Sequence, residues 1–193
     1  MQSITWLRKE SCVQNCCESG FVLRGSQVYG TLNWYTFPMP HIHEKIDFTV
    51  DVFVVYKDRV LIRKHDKYDK WLAVGGHIEL DEDPNQAAVR EVKEEAGLDV
   101  ILFGELPIFE SESNSYRELI SPRYMNMHDI NSTHKHISLI YFAKSNSDKV
   151  VDEGREQSRG YKWFSMDDLK QNTEGISEII LFYATKALEN LSE

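Results

Sequence analysis

Residues 76–98, GHIELDEDPNQAAVREVKEEAGL, constrain this 193-residue chain more than any other stretch. Asp83-Pro84 is a helix-start signal: an N-cap carboxylate, then proline at the first helical position, where a missing N–H is harmless. Gly97 supplies the stop, because glycine takes the left-handed conformation of a helix C-cap without penalty. A helix is therefore predicted over Pro84–Ala96. Glu91, Glu94 and Glu95 stand at i, i+3 and i+4, which puts three carboxylates on one face. Like charges at that spacing repel by roughly a few tenths of a kcal/mol per pair. A divalent cation removes the repulsion, because hard oxygen ligands are what Mg²⁺ and Mn²⁺ prefer. Ala88, Val89, Val92 and Ala96 form an opposite apolar face that would pin the helix to a sheet. Arg90 lies four residues from Glu94, and pairing with Glu82 would brace the preceding loop against the helix. A solvated, Glu-rich surface helix carries the same E-x-x-E-E, so the trio by itself decides nothing.

The surrounding sequence is built of short strand patterns. FTVDVFVVY at 48–56 is β-branched and aromatic, as in a buried strand, and RVLIRKH at 59–65 reads as its hairpin partner across Lys57-Asp58. WLAVGG at 71–76 reads as one short strand ending in two glycines. Further strands are predicted at 99–104, 106–110, 136–144 and 161–165. Between them, 110–133 is polar and longer than ordinary connections, which suggests a functional loop or lid. In the tail, Ile179, Ile180, Phe182, Leu188 and Leu191, with Ala184 and Ala187, predict one buried stripe on a helix over 176–191. Mixed strands with at least two helices point to a single α/β or α+β layer domain.

The first 38 residues show no sustained period. Arg8, Lys9 and Arg24 outweigh Glu10 and Glu18 there, and Pro38, Met39 and Pro40 break the backbone at the junction. We expect a leader over 1–40 and the compact domain over 41–193, with Met39 as a candidate natural start. Cys12, Cys16 and Cys17 all fall in the leader, and three cysteines cannot pair fully within one chain. C-x-x-x-C-C also lacks the second ligand pair of a zinc module. Unconstrained thiols in a cytoplasmic protein are the expectation. No run approaches the roughly 18 apolar residues of a membrane span, and the start lacks the order of a secretory signal. With 22 basic against 31 acidic residues the net charge is −9. Such a chain repels nucleic-acid backbones and anionic membranes, so neither is an expected partner. A phosphate-bearing ligand would need a local device, and carboxylate-held cations are one.

The stretch matches G-x₅-E-x₇-R-E-U-x-E-E-x-G-U, where U is bulky and aliphatic, at Gly76, Glu82, Arg90, Glu91, Val92, Glu94, Glu95, Gly97 and Leu98. Seven fixed letters in register arise by chance in roughly one chain in a million when each residue type is used at a few per cent. On these residues the chain resembles the Nudix hydrolases, from about residue 46 to the C-terminus. The resemblance implies an α/β/α sandwich with a mixed β-sheet and the box as a loop–helix–loop. It implies metal-dependent hydrolysis of a nucleoside diphosphate linked to a moiety X, a small-molecule substrate, with Mg²⁺ or Mn²⁺ as cofactor. Carried over by position, Glu91, Glu94 and Glu95 would be metal ligands and catalytic carboxylates, and relatives differ over which one is the general base. The Gly75 carbonyl would complete the coordination. Arg90 would serve catalysis by holding loop and helix together with Glu82, while Gly76, Glu82 and Gly97 shape the box. The usual Glu-x-Gly-Glu is here Glu79-Leu80-Asp81-Glu82, and aspartate tolerates the left-handed conformation well enough for an intact loop. Dimers are common in the family, so a homodimer is an expected assembly.

Relatives commonly add an acidic ligand or base before the Trp-Phe strand. Glu153 and Glu156 precede Trp163-Phe164 here; Glu156 is preferred, with a plain surface charge as the alternative. His134 and His136 alternate on one side of a strand, facing phosphates or serving as a base, or else form an exposed edge-strand pair. Arg63, Lys64, His65, Lys67 and Lys70 are locally basic; Arg63 or Lys64 would neutralise substrate phosphate, although a solvated hairpin end explains the same cluster. Tyr116, Arg117, Arg123 and Tyr124 are possible base or ribose contacts. Tyr116 stands 18 positions past Leu98, as in dinucleoside polyphosphate hydrolases, a minority substrate reading. His77 takes no role. A non-cleaving regulatory domain that binds a nucleotide-derived ligand is the alternative, though such relatives usually lose box glutamates that this chain keeps. An isoprenoid diphosphate isomerase would need a core cysteine, and none follows Cys17.

Overall fold

The computed structural model describes residues 42–65, 68–105, 116–151 and 158–192. The expectations for the leader and its cysteines, for Lys67, for a strand at 106–110, and for Glu153 and Glu156 lie outside the described residues. Two long strands organise the rest: β1 (Ile46–Tyr56) and β7 (Lys135–Ser145), which run parallel with Asp47 opposite His136 and Val55 opposite Lys144. Each carries two shorter antiparallel partners end to end. β1 pairs with β4 (Val74–His77) along 49–52 and with β2 (Arg59–His65) at 55–56. Along β7 lie β5 (Val100–Phe103) and β6 (Tyr124–Asp129). β3 (Lys70–Leu72) and β8 (Ser158–Ser165) extend β2, giving a mixed sheet of eight strands among the described residues.

Side-chain alternation along β1 divides the core in two. Val50, Val52 and Val54 pack with Leu61, Val74, Tyr141 and Ala143 under α1 (Pro84–Ala96). Phe53 and Val55 point the other way, with Ile62, Ile140, Phe142 and Phe164, under α2 (Met166–Gln171) and α3 (Glu178–Leu191). Helices thus cover both faces, and the fold is the α/β/α sandwich expected. Each fully buried valine contributes roughly 1.5–3 kcal/mol of apolar burial.

Both ends of α1 form as the sequence predicts. The Asp83 carboxylate accepts from the Asn85 and Gln86 N–H groups, Gln86 returns a bond to the Asp83 N–H, and Gly97 closes the helix at φ 67°. Four details differ from expectation. Val89 is exposed, and Ala87 takes the packing position instead, because helix and sheet meet along Ala87, Ala88, Val92 and Ala96. Ile179 and Phe182 are likewise exposed, since α3 buries the narrower stripe of Ala184, Ala187, Leu188 and Leu191. The polar stretch at 110–133 is not all loop: β6 forms there because the outer edge of β7 offers it a complete backbone ladder. Finally, 71–76 divides into β3 and β4, which pair with different strands.

Candidate active site

Arg90 is the hub of the box. Its Nε donates to Glu82 Oε2 at 2.9 Å and its Nη2 to Glu82 Oε1 at 2.6 Å, a bidentate pair, while Nη2 also reaches the His77 carbonyl at 2.9 Å. Its Nη1 holds Glu91 Oε1 at 2.9 Å and Glu94 Oε2 at 3.1 Å. Glu82 in turn accepts the Glu79 N–H at 2.9 Å, so one guanidinium ties loop, strand β4 and helix together. Hydrogen bonding to Arg90 holds the Glu82 carboxyl below its ordinary range, and the same contact raises the Arg90 pKa.

The three helix glutamates sit in graded surroundings. Glu94 is exposed, Glu91 is largely covered, and Glu95 is buried. Burial raises the Glu91 carboxyl above its ordinary value, opposed by Arg90 and reinforced by the Glu94 charge. A Cβ on Gly76 would overlap the Glu91 carboxylate, so glycine at that position is what lets the acid lie against the strand. Glu95 accepts the Gly75 N–H at 3.1 Å through Oε2 and forms an ion pair with Arg63 through Oε1. All the donor atoms gathered here are hard oxygens, which fit Mg²⁺ or Mn²⁺.

A cleft of about 720 Å³ opens beside α1. Asp83, Gln86, Val89, Arg90, Lys93 and Glu94 line one wall, and residues 117–120 the other. Asn85 pins that second wall by bonding both the Ile120 N–H and its carbonyl. Arg117 lines the cleft in an ion pair with Asp83.

Other residues named from the sequence lie elsewhere. Arg63 is buried against Glu95 rather than presented to solvent. Lys64 reaches Asp69 at 3.4 Å and lies over the Trp71 ring. Tyr116 is exposed and is absent from the cleft lining. His134 and His136 are buried, not an exposed edge pair, because β6 covers that side of β7. They join a polar group that sequence reading missed. Asp47, fully buried, lies 3.1 Å from His134 Nε2 and 3.4 Å from His77 Nε2, and the His77 and His136 rings are 4.9 Å apart. Burial, then the neighbouring His77, His128 and His134, pushes the His136 pKa down to about 4. Asp51, on the same face, is raised by burial. The readable signal was the polar alternation Asp47-x-Thr49-x-Asp51 within an otherwise apolar strand.

Comparison with known proteins places these features in context. A family model described as NUDIX domain matches residues 45–183. A solved hydrolase of the NUDIX family from Clostridium perfringens is 42% identical, with a TM-score of 0.69 over 76% of this chain and 98% of that one. Diphosphoinositol polyphosphate phosphohydrolase 2 of Mus musculus and of Homo sapiens is 42% identical over 65 residues, 33% of this chain. The matched region spans 36% of those relatives' own length. An Ap4A hydrolase from C. elegans shares the fold alone, at 18% identity and a TM-score of 0.52.

Proposed function

Because this chain belongs to the Nudix hydrolase family, we propose that it hydrolyses a phosphoanhydride bond in a nucleoside diphosphate linked to a further group. Glu91, Glu94 and the Gly75 carbonyl would hold the Mg²⁺ or Mn²⁺, joined by Glu95 once its carboxylate exchanges Arg63 for the cation. The bound ion supplies charge neutralisation at the phosphate oxygens and a lowered pKa for an attacking water. Arg90 keeps Glu91 and Glu94 turned the same way, and its bond to the His77 carbonyl fixes the box loop under them. Gly76 leaves the room that Glu91 occupies. A protein of net charge −9 can then meet a polyanion, since the cation bridges two negative surfaces. Glu156, preferred from its place before Trp163-Phe164, would add a further acidic ligand.

The observation that carries this reading is the Arg90-centred array, in which one side chain organises Glu82, Glu91 and Glu94 beside an open cleft. A second substrate class, a diphosphate on a polyphosphorylated inositol, is favoured by the 42% identity to the diphosphoinositol polyphosphate phosphohydrolases. One screen tests both. Phosphate release is measured across nucleoside di- and triphosphates, nucleotide sugars, ADP-ribose, dinucleoside polyphosphates and diphosphoinositol polyphosphates, with Mg²⁺ and with chelator. Hydrolysis of at least one class should appear with Mg²⁺ and vanish with chelator. Glu94→Gln and Glu95→Gln should each lower turnover about a hundredfold or more, near 2.7 kcal/mol of barrier. If both variants kept more than about a tenth of the rate, the assignment would fail.

A further inference from the structure

We propose that Asp47, His134 and His136, with His77 as fourth ligand, form a second metal site that takes Zn²⁺ in preference to Mg²⁺, separate from the glutamate face. The residues come from three strands of one sheet. The parallel register sets Asp47 beside His136, the antiparallel register sets Thr49 beside His77, and His134 stands just before β7. Alternation puts all of these side chains on the face of the sheet opposite α1.

Distances and protonation support a cation at the centre. Asp47 Oδ2 lies 3.1 Å from His134 Nε2 and 3.4 Å from His77 Nε2. Donor atoms of a tetrahedral shell with bonds of about 2.0–2.1 Å stand about 3.3 Å apart. Ligand atoms of Asp47, His134 and His136 all fall within 4.8 Å of one another. His134 Nδ1 lies 3.3 Å from the Glu44 carbonyl, which can only accept. With that nitrogen donating, Nε2 is the ring atom left facing the Asp47 carboxylate, where a cation would sit. A ring nitrogen bonded to a backbone carbonyl is also how metal-bound histidines are commonly oriented. The other Asp47 oxygen accepts the His43 N–H at 2.6 Å, which holds the carboxylate in place. His136 is 8% exposed, yet its Nε2 has no hydrogen-bond partner among the described residues. Imidazole nitrogens favour Zn²⁺, whereas all-oxygen sets favour Mg²⁺, so the two sites would sort ions by ligand chemistry.

The test uses the full chain with Cys12, Cys16 and Cys17 replaced by Ser, which removes competing thiolates. Chelator-stripped protein is given equimolar Zn²⁺ in excess Mg²⁺, desalted, and assayed for metal. One Zn²⁺ per chain should be retained, and Co²⁺ in its place should give the strong visible bands of four-coordinate nitrogen and oxygen ligation. His136→Ala and Asp47→Asn should lower retained Zn²⁺ at least tenfold, with folding checked by circular dichroism. Glu94→Gln should keep the Zn²⁺ while losing hydrolysis, so failure of this site and failure of the proposed activity read out separately. If the parent protein retains no Zn²⁺, the proposal is overturned. Absence of the four-coordinate Co²⁺ bands overturns it as well, and that measurement does not depend on any variant folding.

Discussion

Gly76 and His77 are neighbours in the chain, yet they face two regions that solve one problem differently. On the Gly76 side, carboxylates are held by arginines: Arg90 for Glu82, Glu91 and Glu94, and Arg63 for Glu95. On the His77 side, the buried Asp47 carboxylate stands among imidazoles. A guanidinium stays charged at every accessible pH, so the first region keeps its shape until the carboxylates themselves are protonated. An imidazole is charged or neutral according to its surroundings, and when neutral it is a metal ligand. The contrast explains how the box can be fully braced while Glu94 remains exposed at the cleft.

The largest expected effect comes from breaking the arginine side at its most buried pair. Arg63→Ala leaves the Glu95 carboxylate buried without its partner, which costs about 3–5 kcal/mol of stability. Denaturant unfolding would measure it, and a loss under about 1 kcal/mol would show that Glu95 does not depend on Arg63. A smaller change follows Arg90→Lys. The charge survives, but the bidentate bond to Glu82 does not, and stability should fall by about 1.5–3 kcal/mol. Hydrolysis should fall with it, because Glu91 and Glu94 lose their common anchor; unchanged stability would mean that charge alone holds the loop.

The smallest effect is a pH dependence. Glu82 has a folded pKa below its ordinary 4.5, so its contribution is complete above that pH and is lost as pH falls through the lower folded value. The stability difference between the native chain and Glu82→Gln should therefore be level above pH 4.5 and narrow only below it. A difference that already changed between pH 6.5 and pH 4.5, inside the window opened by the lowered His136 pKa, would tie the box to the histidine side and break the distinction between the regions.

Much of the arginine side was legible in the sequence. The helix over Pro84–Ala96 and its two caps rest on the contiguous residues 83–97, and Arg90 pairs with Glu82 only eight positions away. Most strands were also recognisable from composition, as was the terminal helix. Solvent exposure was harder to read. Val89, Ile179 and Phe182 carry apolar side chains at helical spacing but lie outside the stripes that meet the sheet. β6 lacks a strong strand composition and is made by the ladder that β7 offers. The histidine side was hidden because its parts are far apart: Asp47 and His136 are aligned only by the pairing of two parallel strands.

Sequence alone determined the three-carboxylate face and the capped helix that carries it, because helix geometry converts residue spacing directly into direction in space. Tertiary structure decided the rest: that Glu95 faces Arg63, that Glu91 lies against Gly76, and that four histidines and an aspartate meet behind the box. Those meetings depend on strand register and on which face a helix covers. Both arise from the burial of many side chains at once, and no local spacing records them.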